Sequence, residues 1–230
     1  MSDTLREDSS AADAVPVEVP NQQVKDYFGP AFPAIEYYGR MITDEGELRG
    51  LIGPRELPRL WSRHLLNCAA VTELIPETGD ITVADVGSGV GLPGIVVACM
   101  RPEAQVVLIE AMERRVAWLG EVVTELDLDN VDIVHARSND LPRRVKFDYV
   151  TSRAVANMSK LVRISGRLVA GGGSLLALKG RRAADEVAAA QADLKKAGLI
   201  DVRIHEVPNL MDPEPSRVVE ARKRRQNLPS

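Results

Sequence analysis

The chain has 230 residues and a formal net charge of −4 at pH 7, with 45% hydrophobic and 27% charged residues. This length accommodates one well-buried α/β domain with a small appendage, and the composition is ordinary for a soluble globular protein. No run approaches the roughly 18 apolar residues of a membrane-spanning helix, and residues 1–20 lack the apolar core of a secretory signal. We therefore expect neither a membrane span nor secretion.

Charge is unevenly distributed along the chain. Residues 1–20 lack apolar periodicity and predict a disordered acidic leader; they carry Asp3, Glu7, Asp8, Asp13 and Glu18 against Arg6. At the other end, Arg222, Lys223, Arg224 and Arg225 introduce a basic tail, residues 223–230, that could contact phosphates. A neutral body with a basic tail permits nucleic-acid binding through a local patch without requiring it.

The cysteines indicate the compartment. Cys68 and Cys99 fall within apolar helical patterns and form no paired motif. Two such thiols suggest small buried side chains in a reducing, cytoplasmic protein.

Residues 21–77 predict a small helical cap of two or three helices. Apolar residues recur at helical spacing in two stripes, with Pro30 and Pro33 bending or interrupting the first and Pro58 near the start of the second. The stripes are Val24, Tyr27, Phe28, Ala31, Ile35, Tyr38 and Ile42, then Leu57, Leu60, Trp61, His64, Leu65, Cys68 and Val71.

Residues 78–222 alternate between strand and helix patterns, which predicts a parallel sheet covered by helices on both faces. We place strands at 81–86, 105–109, 131–135, 147–152, 173–178, 200–207 and 216–221, and helices at 92–101, 112–127, 157–170 and 183–197. The last two strands are joined by a short Pro-containing link, residues 208–215, so they should pair antiparallel. This favours a class I S-adenosylmethionine-dependent methyltransferase fold, Rossmann-like with seven strands and the last one antiparallel.

Residues 81–94 organise the rest of the domain. An apolar run ends at Val86, and a glycine-rich turn with Gly87, Gly89 and Gly91 leads to Leu92 and Pro93. Such a strand, turn and helix brings bare backbone against a nucleoside-bearing cofactor. The residues from Gly89 to Gly94 match the dinucleotide fingerprint, so a nucleotide-binding oxidoreductase stays open.

Two acidic residues favour S-adenosylmethionine over a dinucleotide. Asp85 precedes the glycines, where a carboxylate suits the ammonium of a methionyl group better than a pyrophosphate. Glu110 ends the second strand, where it can accept hydrogen bonds from ribose hydroxyls. Ser138 and Asn139 follow the third strand, where the topology predicts an adenine contact, although a plain turn is the alternative.

The residues after the fourth strand bear on the second substrate. They contain no Asn/Asp-Pro-Pro-aromatic motif of exocyclic-amine methyltransferases, and neither cysteine lies near a strand end to serve as a nucleophile. The segment presents a cation, Arg153. We therefore predict no catalytic side chain beyond Arg153 as a candidate orienter, and no metal site.

Four motifs together resemble the small-subunit ribosomal RNA methyltransferase G family, also called glucose-inhibited division protein B, over about residues 21–222. They are Val-Gly-Ser-Gly-Val-Gly-Leu-Pro-Gly in the turn, Ser152-Arg153-Ala154, Leu178-Lys179-Gly180 and Arg63-His64. The resemblance implies methylation of guanine N7 in 16S rRNA, in the small ribosomal subunit or an assembly intermediate, with S-adenosylmethionine as donor. It also implies cofactor contacts at Gly87, Leu92, Ser138, Asn139 and Arg153.

For RNA we predict contacts at the mouth of the cleft from Arg63, Arg153, Lys179, Arg181 and Arg182. The family commonly has Asp-Ser where this chain has Asn67 and Cys68. We therefore expect His64 to be a packed or capping histidine and not a catalytic one. A small-molecule methyltransferase and a non-catalytic ribosome-assembly factor stay open as alternatives.

Overall fold

The computed structural model describes residues 16–225. The predictions for Asp3, Arg6, Glu7, Asp8 and Asp13, and for residues 226–230 of the tail, lie outside the described residues. Glu18, assigned above to the leader, accepts hydrogen bonds from the Ser62 N–H and hydroxyl at 2.7 and 2.6 Å. The end of the predicted leader thus lies against the cap.

The cap forms as two helical stretches. Helix α1 (Gln22–Phe28) begins at Asn21, whose side chain accepts the Val24 N–H at 3.0 Å. A 3₁₀ turn (Gly29–Ala31) holds Pro30 and leads into α2 (Phe32–Glu45), which is the predicted interruption. The second stretch runs from a 3₁₀ turn (Leu57–Arg59) through a π-helical turn (Leu60–Leu65) and α3 (Leu66–Ala69) to a 3₁₀ turn (Thr72–Leu74).

A single seven-stranded sheet follows, with the order β3-β2-β1-β4-β5-β7-β6. Strands β1 to β5 pair parallel, and β7 is antiparallel to both β5 and β6, as predicted. The strands are β1 (Thr82–Val86), β2 (Gln105–Glu110), β3 (Val131–His135), β4 (Phe147–Arg153), β5 (Val169–Lys179), β6 (Leu199–Asn209) and β7 (Asp212–Lys223).

The helices after the strands are α4 (Gly94–Met100), α5 (Glu113–Glu125), α6 (Met158–Ser165), α7 (Ala183–Ala189) and α8 (Gln191–Lys196). The prediction of one helix over 157–170 was wrong at its end, because α6 ends at Ser165 and β5 already begins at Val169, before the predicted strand start at residue 173. A Cβ at Gly173 would lie 2.2 Å from the Asp148 carbonyl oxygen, so the strand pairing requires glycine there. The predicted helix over 183–197 is likewise two helices, α7 and α8.

Two hydrophobic clusters cover the two faces of the sheet. One joins the cap to α4 and α5 through Tyr38, Leu65, Ile95 and Trp118, so the cap shares its core with the sheet. The other packs α6 and α8 against the opposite face and includes the fully buried Met158. Within residues 16–225, no helix combines the length and apolarity needed to cross a bilayer.

Candidate active site

The glycine turn lies at the carboxyl end of β1 and forms one side of a cleft of about 570 Å³. Gly87 and Gly89 have φ angles of 72° and 60°, which glycine adopts at low cost. A Cβ at Gly87 would lie 2.7 Å from the Val155 side chain, so the turn passes directly against the loop that follows β4. Gly87, Gly89 and Leu92, all predicted cofactor residues, line the cleft.

Glu110 lies at the end of β2, buried beneath the turn, and it also lines the cleft. One carboxylate oxygen accepts the Gly89 N–H at 2.9 Å, and the other accepts the N–H groups of Ala111 and Met112 at 2.8 and 2.9 Å. Arg115 approaches the same carboxylate at 3.7 Å. Since an ionised carboxylate has about four acceptor positions, Glu110 can still accept from a ligand hydroxyl.

Asp85 lies behind the turn and not in the cleft wall. Its side chain is fully buried, and its Oδ2 accepts the Gly94 N–H at the start of α4 at 2.9 Å. Oδ1 is buried without a hydrogen-bond partner among residues 16–225. Burial, the largest influence, raises the pKa of Asp85 to about 7. Its direct contact with a ligand stays a prediction.

Ser138 and Asn139 form a 3₁₀ turn (Ser138–Asp140) after β3, as the topology required, but neither lines the cleft. The Ser138 hydroxyl is buried and donates to the Ile164 carbonyl at 3.0 Å, which anchors the turn to α6. Asn139 is exposed. In this conformation the side chain of Ser138 therefore serves the fold, and an adenine contact from either residue stays a prediction.

Arg153 ends β4 on the opposite side of the cleft, where a chain of side chains from the cap holds it. Its Nη2 donates to Nδ1 of His64, and its Nη1 lies 3.6 Å from the Cys68 sulfur. His64 Nε2 in turn lies 3.0 Å from the Glu56 carboxylate. Because a guanidinium has donors only, Nδ1 must accept, so the proton is on Nε2 and is donated to Glu56.

His64 is a packed residue, as expected from the sequence, and it is also a link between the cap and Arg153. Burial and then the charge of Arg153 lower the pKa of His64 to about 4, so the ring is neutral at pH 7. Sequence reasoning did not identify Glu56, which lies in the segment between the two helical stretches of the cap. It also missed Val155, and no sequence signal marks either residue as part of the cleft.

Besides Arg153, the four other cations predicted to contact RNA differ in their surroundings. The Arg63 and Arg181 side chains are 44% and 78% exposed, with carboxylates of Asp212 and Glu214 at 4.0 and 3.3 Å, and Arg182 is also exposed. Lys179 is enclosed, since its ammonium donates to the Ala156 carbonyl at 2.6 Å and lies 2.9 Å from Glu186. The placement of Lys179 therefore argues for fixing the loop after β4 and against an RNA contact.

The fold and the cleft define the class of protein. A sheet in which β7 lies antiparallel between β5 and β6, with a glycine turn after β1 and an acid after β2, has the class I methyltransferase architecture. The structure is similar to M. jannaschii TYW2 in complex with AdoMet, with a TM-score of 0.54 at 20% identity over 73% of this chain and 78% of that chain. It is also similar to a SAM-dependent methyltransferase from Aquifex aeolicus, with a TM-score of 0.52 at 20% identity over 74% and 98% of the two chains.

The particular family follows from sequence comparison. The family model described as rRNA small subunit methyltransferase G matches residues 32–212. A ribosomal RNA small subunit methyltransferase G from Beutenbergia cavernae is 46% identical over 94% of this chain and 100% of its own length. One from Renibacterium salmoninarum is 48% identical over 74% and 79%. The chain belongs to the rRNA small subunit methyltransferase G family, which confirms the resemblance identified from the motifs.

Proposed function

We propose that this protein transfers a methyl group from S-adenosylmethionine to N7 of a guanine in the 16S rRNA of the small ribosomal subunit. The observation that carries the proposal is the cleft itself, in which Glu110 and the glycine turn face Arg153. The glycine fingerprint alone left a dinucleotide-dependent oxidoreductase open as an alternative. The membership of this chain in a methyltransferase family gives that alternative no support.

The residues of the cleft fit the cofactor. Gly87 and Gly89 have no side chains, so their backbone is open to a ligand in the cleft. Leu92 adds an apolar contact, and the Glu110 carboxylate keeps acceptor positions for ribose hydroxyls. The unpartnered Oδ1 of Asp85 lies buried behind the turn, where the ionised form of this carboxyl would favour a cationic methionyl group electrostatically. When bound, S-adenosylmethionine supplies a methyl group carried on a sulfonium sulfur.

Guanine N7 has an in-plane lone pair and no proton, so its methylation requires alignment and no general base. The titratable groups beside Arg153 agree with this chemistry. His64 has both ring nitrogens engaged, and burial raises the pKa of the Cys68 thiol to about 11, which keeps it protonated and unreactive. The cleft therefore acts by positioning its two substrates.

Arg153 is the residue that we assign to orientation. It lines the cleft opposite Glu110, and its guanidinium is held from the cap by both His64 and Cys68. The remaining N–H groups can donate to the guanine O6 or to the carboxylate of the cofactor, both of which are acceptors that arginine recognises well. Either contact would leave N7 free to react.

The exposed cations Arg63, Arg181 and Arg182 are the proposed RNA contacts near the carboxyl ends of the strands. Because the protein is acidic overall, we infer that it recognises a folded ribonucleoprotein surface, either the 30S subunit or an assembly intermediate, in preference to stripped rRNA.

A methyl-transfer assay with intact 30S subunits and stripped 16S rRNA side by side tests this proposal, with the product mapped by mass spectrometry. We expect one methylguanosine per subunit, and faster transfer to the subunit than to the stripped RNA. Label in a small-molecule pool, or no change in the guanine modification pattern after deletion of the gene, would contradict it.

A further inference from the structure

A second strongly charged surface lies at the edge of the sheet opposite the cleft. It comprises Arg143, Arg144, Lys146, Arg167, Lys223 and Arg224, which we call the basic edge. These residues precede β4 and β5 or end β7, whereas the cleft lies at the carboxyl ends of β1, β2 and β4. Since β4 has seven residues, the two surfaces are roughly 20 Å apart along the strand.

Backbone carbonyl groups, which carry no net charge, fix several side chains of the basic edge. The Lys146 ammonium donates to the Arg167 carbonyl, and Arg167 donates to the Leu141 carbonyl at 2.9 Å. Lys223 donates to the carbonyls of Gly166 and Ala197 at 3.1 and 2.5 Å. Carbonyl oxygens position the cations without cancelling their charge. The consequence is visible at Lys223, whose pKa is lowered by burial and then by the nearby charge of Lys146.

Few carboxylates oppose these charges. Within residues 16–225, no carboxylate oxygen lies within 4.0 Å of a charged side-chain nitrogen of the basic edge, while Arg163 and Arg217 on neighbouring elements each pair with an acid at 2.8 Å. Asp201 shares a cavity with Arg222 to Arg225, and Asp193, which is paired with Arg163, shares another with Arg167 and Lys223. The β1 to β3 half of the same edge is acidic, with Glu77, Asp80, Glu103, Asp127 and Asp129 in the connections before those strands. The basic half of this edge therefore attracts a polyanion, and the acidic half repels it.

We infer that the basic edge binds the phosphate backbone of a second rRNA segment, distinct from the segment that presents its guanine to the cleft. This inference rests on the proposed function, since it takes the ribosomal subunit as the partner. Phosphate contacts from lysine and arginine position a protein on RNA without reading the base sequence. An enzyme that must place one guanine in a large RNA gains orientation from two contacts that are far apart.

An RNA partner fits better than an anionic membrane. Basic faces that lie on membranes combine their cations with exposed apolar side chains that enter the lipid. The large exposed apolar residues of the described chain are Val19, Leu48, Met112, Ile204 and Leu210, and none of them lies in the connections before β4 and β5 or at the end of β7. The surface offers charge alone, which suits a phosphate backbone in water.

The test compares the Arg143→Gln/Arg144→Gln variant with a charge-matched control, Lys25→Gln/Arg40→Gln on the cap. Binding of 30S subunits is measured by filter retention at increasing KCl, separately from methyl transfer. Each phosphate contact contributes about threefold to the loss of affinity between 50 and 200 mM salt, so wild type should lose roughly tenfold more affinity than the edge variant over that range. The KM for subunits should rise in the edge variant while kcat at saturation stays at the wild-type value, and the control should behave as wild type.

The outcomes separate this inference from the proposed function. If wild type methylates the subunit but the edge variant matches it in affinity and salt dependence, the inference is overturned and the proposed function survives. If wild type does not methylate the subunit but the variant still weakens subunit binding, the proposed function fails and the RNA contact stands. Loss of binding to phosphatidylserine vesicles in the variant, with unchanged subunit binding, would overturn the inference in favour of a membrane contact.

Discussion

The two walls of the cleft are built by different means. The first, formed by Gly87, Gly89 and Glu110, depends on backbone amides that donate to a carboxylate, and Gly89 and Glu110 are 21 positions apart in the sequence. The second, formed by Glu56, His64 and Arg153, depends on side chains, and Arg153 and His64 are 89 positions apart. We call them the cofactor wall and the substrate wall. The residues of the cofactor wall lie at the ends of two neighbouring strands, whereas the substrate wall forms only when the cap packs on the sheet.

The largest effect should come from the acid of the cofactor wall. Replacing Glu110 with alanine removes the acceptor for the ribose hydroxyls and frees the amides of Gly89 and Ala111. With charge-assisted hydrogen bonds each contributing about 1.5–3 kcal/mol, S-adenosylmethionine affinity should fall by roughly 1000-fold, as measured by isothermal titration. Glu113→Ala, an exposed acid at the start of α5, is the control. Wild-type affinity in Glu110→Ala would remove Glu110 from the cofactor wall.

Asp85 gives the cofactor wall a stability that depends on pH. Because burial raises its folded pKa to about 7, the folded protein binds a proton more tightly than the unfolded chain, whose aspartate has a pKa of about 4. Stability contributed by the protonated form is present below pH about 4 and is lost as the pH rises to about 7, at up to about 1.4 kcal/mol per pH unit.

The Asp85→Asn variant isolates this effect. Its free energy of unfolding relative to wild type should rise by about 2–3 kcal/mol between pH 5 and pH 7, as measured by urea unfolding. Asp129→Asn serves as an exposed control. A difference between Asp85→Asn and wild type that does not change with pH would show that Asp85 is not a buried, proton-binding group.

The substrate wall should respond mainly in turnover, because it positions Arg153 for the guanine. An additional loss of cofactor affinity would indicate that Arg153 also donates to the carboxylate of S-adenosylmethionine. His64→Ala removes the acceptor of the Arg153 guanidinium, so Arg153 can leave its position, and kcat should fall by about tenfold, with a further loss in Arg153→Ala. Glu56→Gln should have a smaller effect, because it keeps an acceptor for the His64 Nε2–H. Titration of S-adenosylmethionine provides the second readout. Equal losses of affinity and kcat in His64→Ala would place His64 in the cofactor wall instead.

The contrast between the walls also explains what the sequence could predict. The glycine turn and Glu110 follow from a strand, a turn and a second strand in sequence order, and the antiparallel pairing of the last strands followed from a short link. The direction of the Asp85 carboxylate could not be predicted, because it depends on how closely α4 approaches β1. The enclosure of Lys179 and the contact of Glu56 with His64 could not be predicted either. Both depend on tertiary packing, because the contacting residues come from different segments of the chain.

The smallest effect should come from relieving the contact between Gly87 of the cofactor wall and Val155, in the loop that follows Arg153 of the substrate wall. Gly87→Ala places a Cβ at a φ of 72° and 2.7 Å from the Val155 side chain, so it should weaken S-adenosylmethionine binding by about tenfold through backbone strain of about 1–2 kcal/mol and through the clash. Val155→Ala removes the clash but leaves the strain. The Gly87→Ala/Val155→Ala double variant should therefore recover part of the affinity, which titration can measure against both single variants. Strictly additive losses in the double variant would show that the walls do not touch at this point in solution, and that each binds its substrate independently.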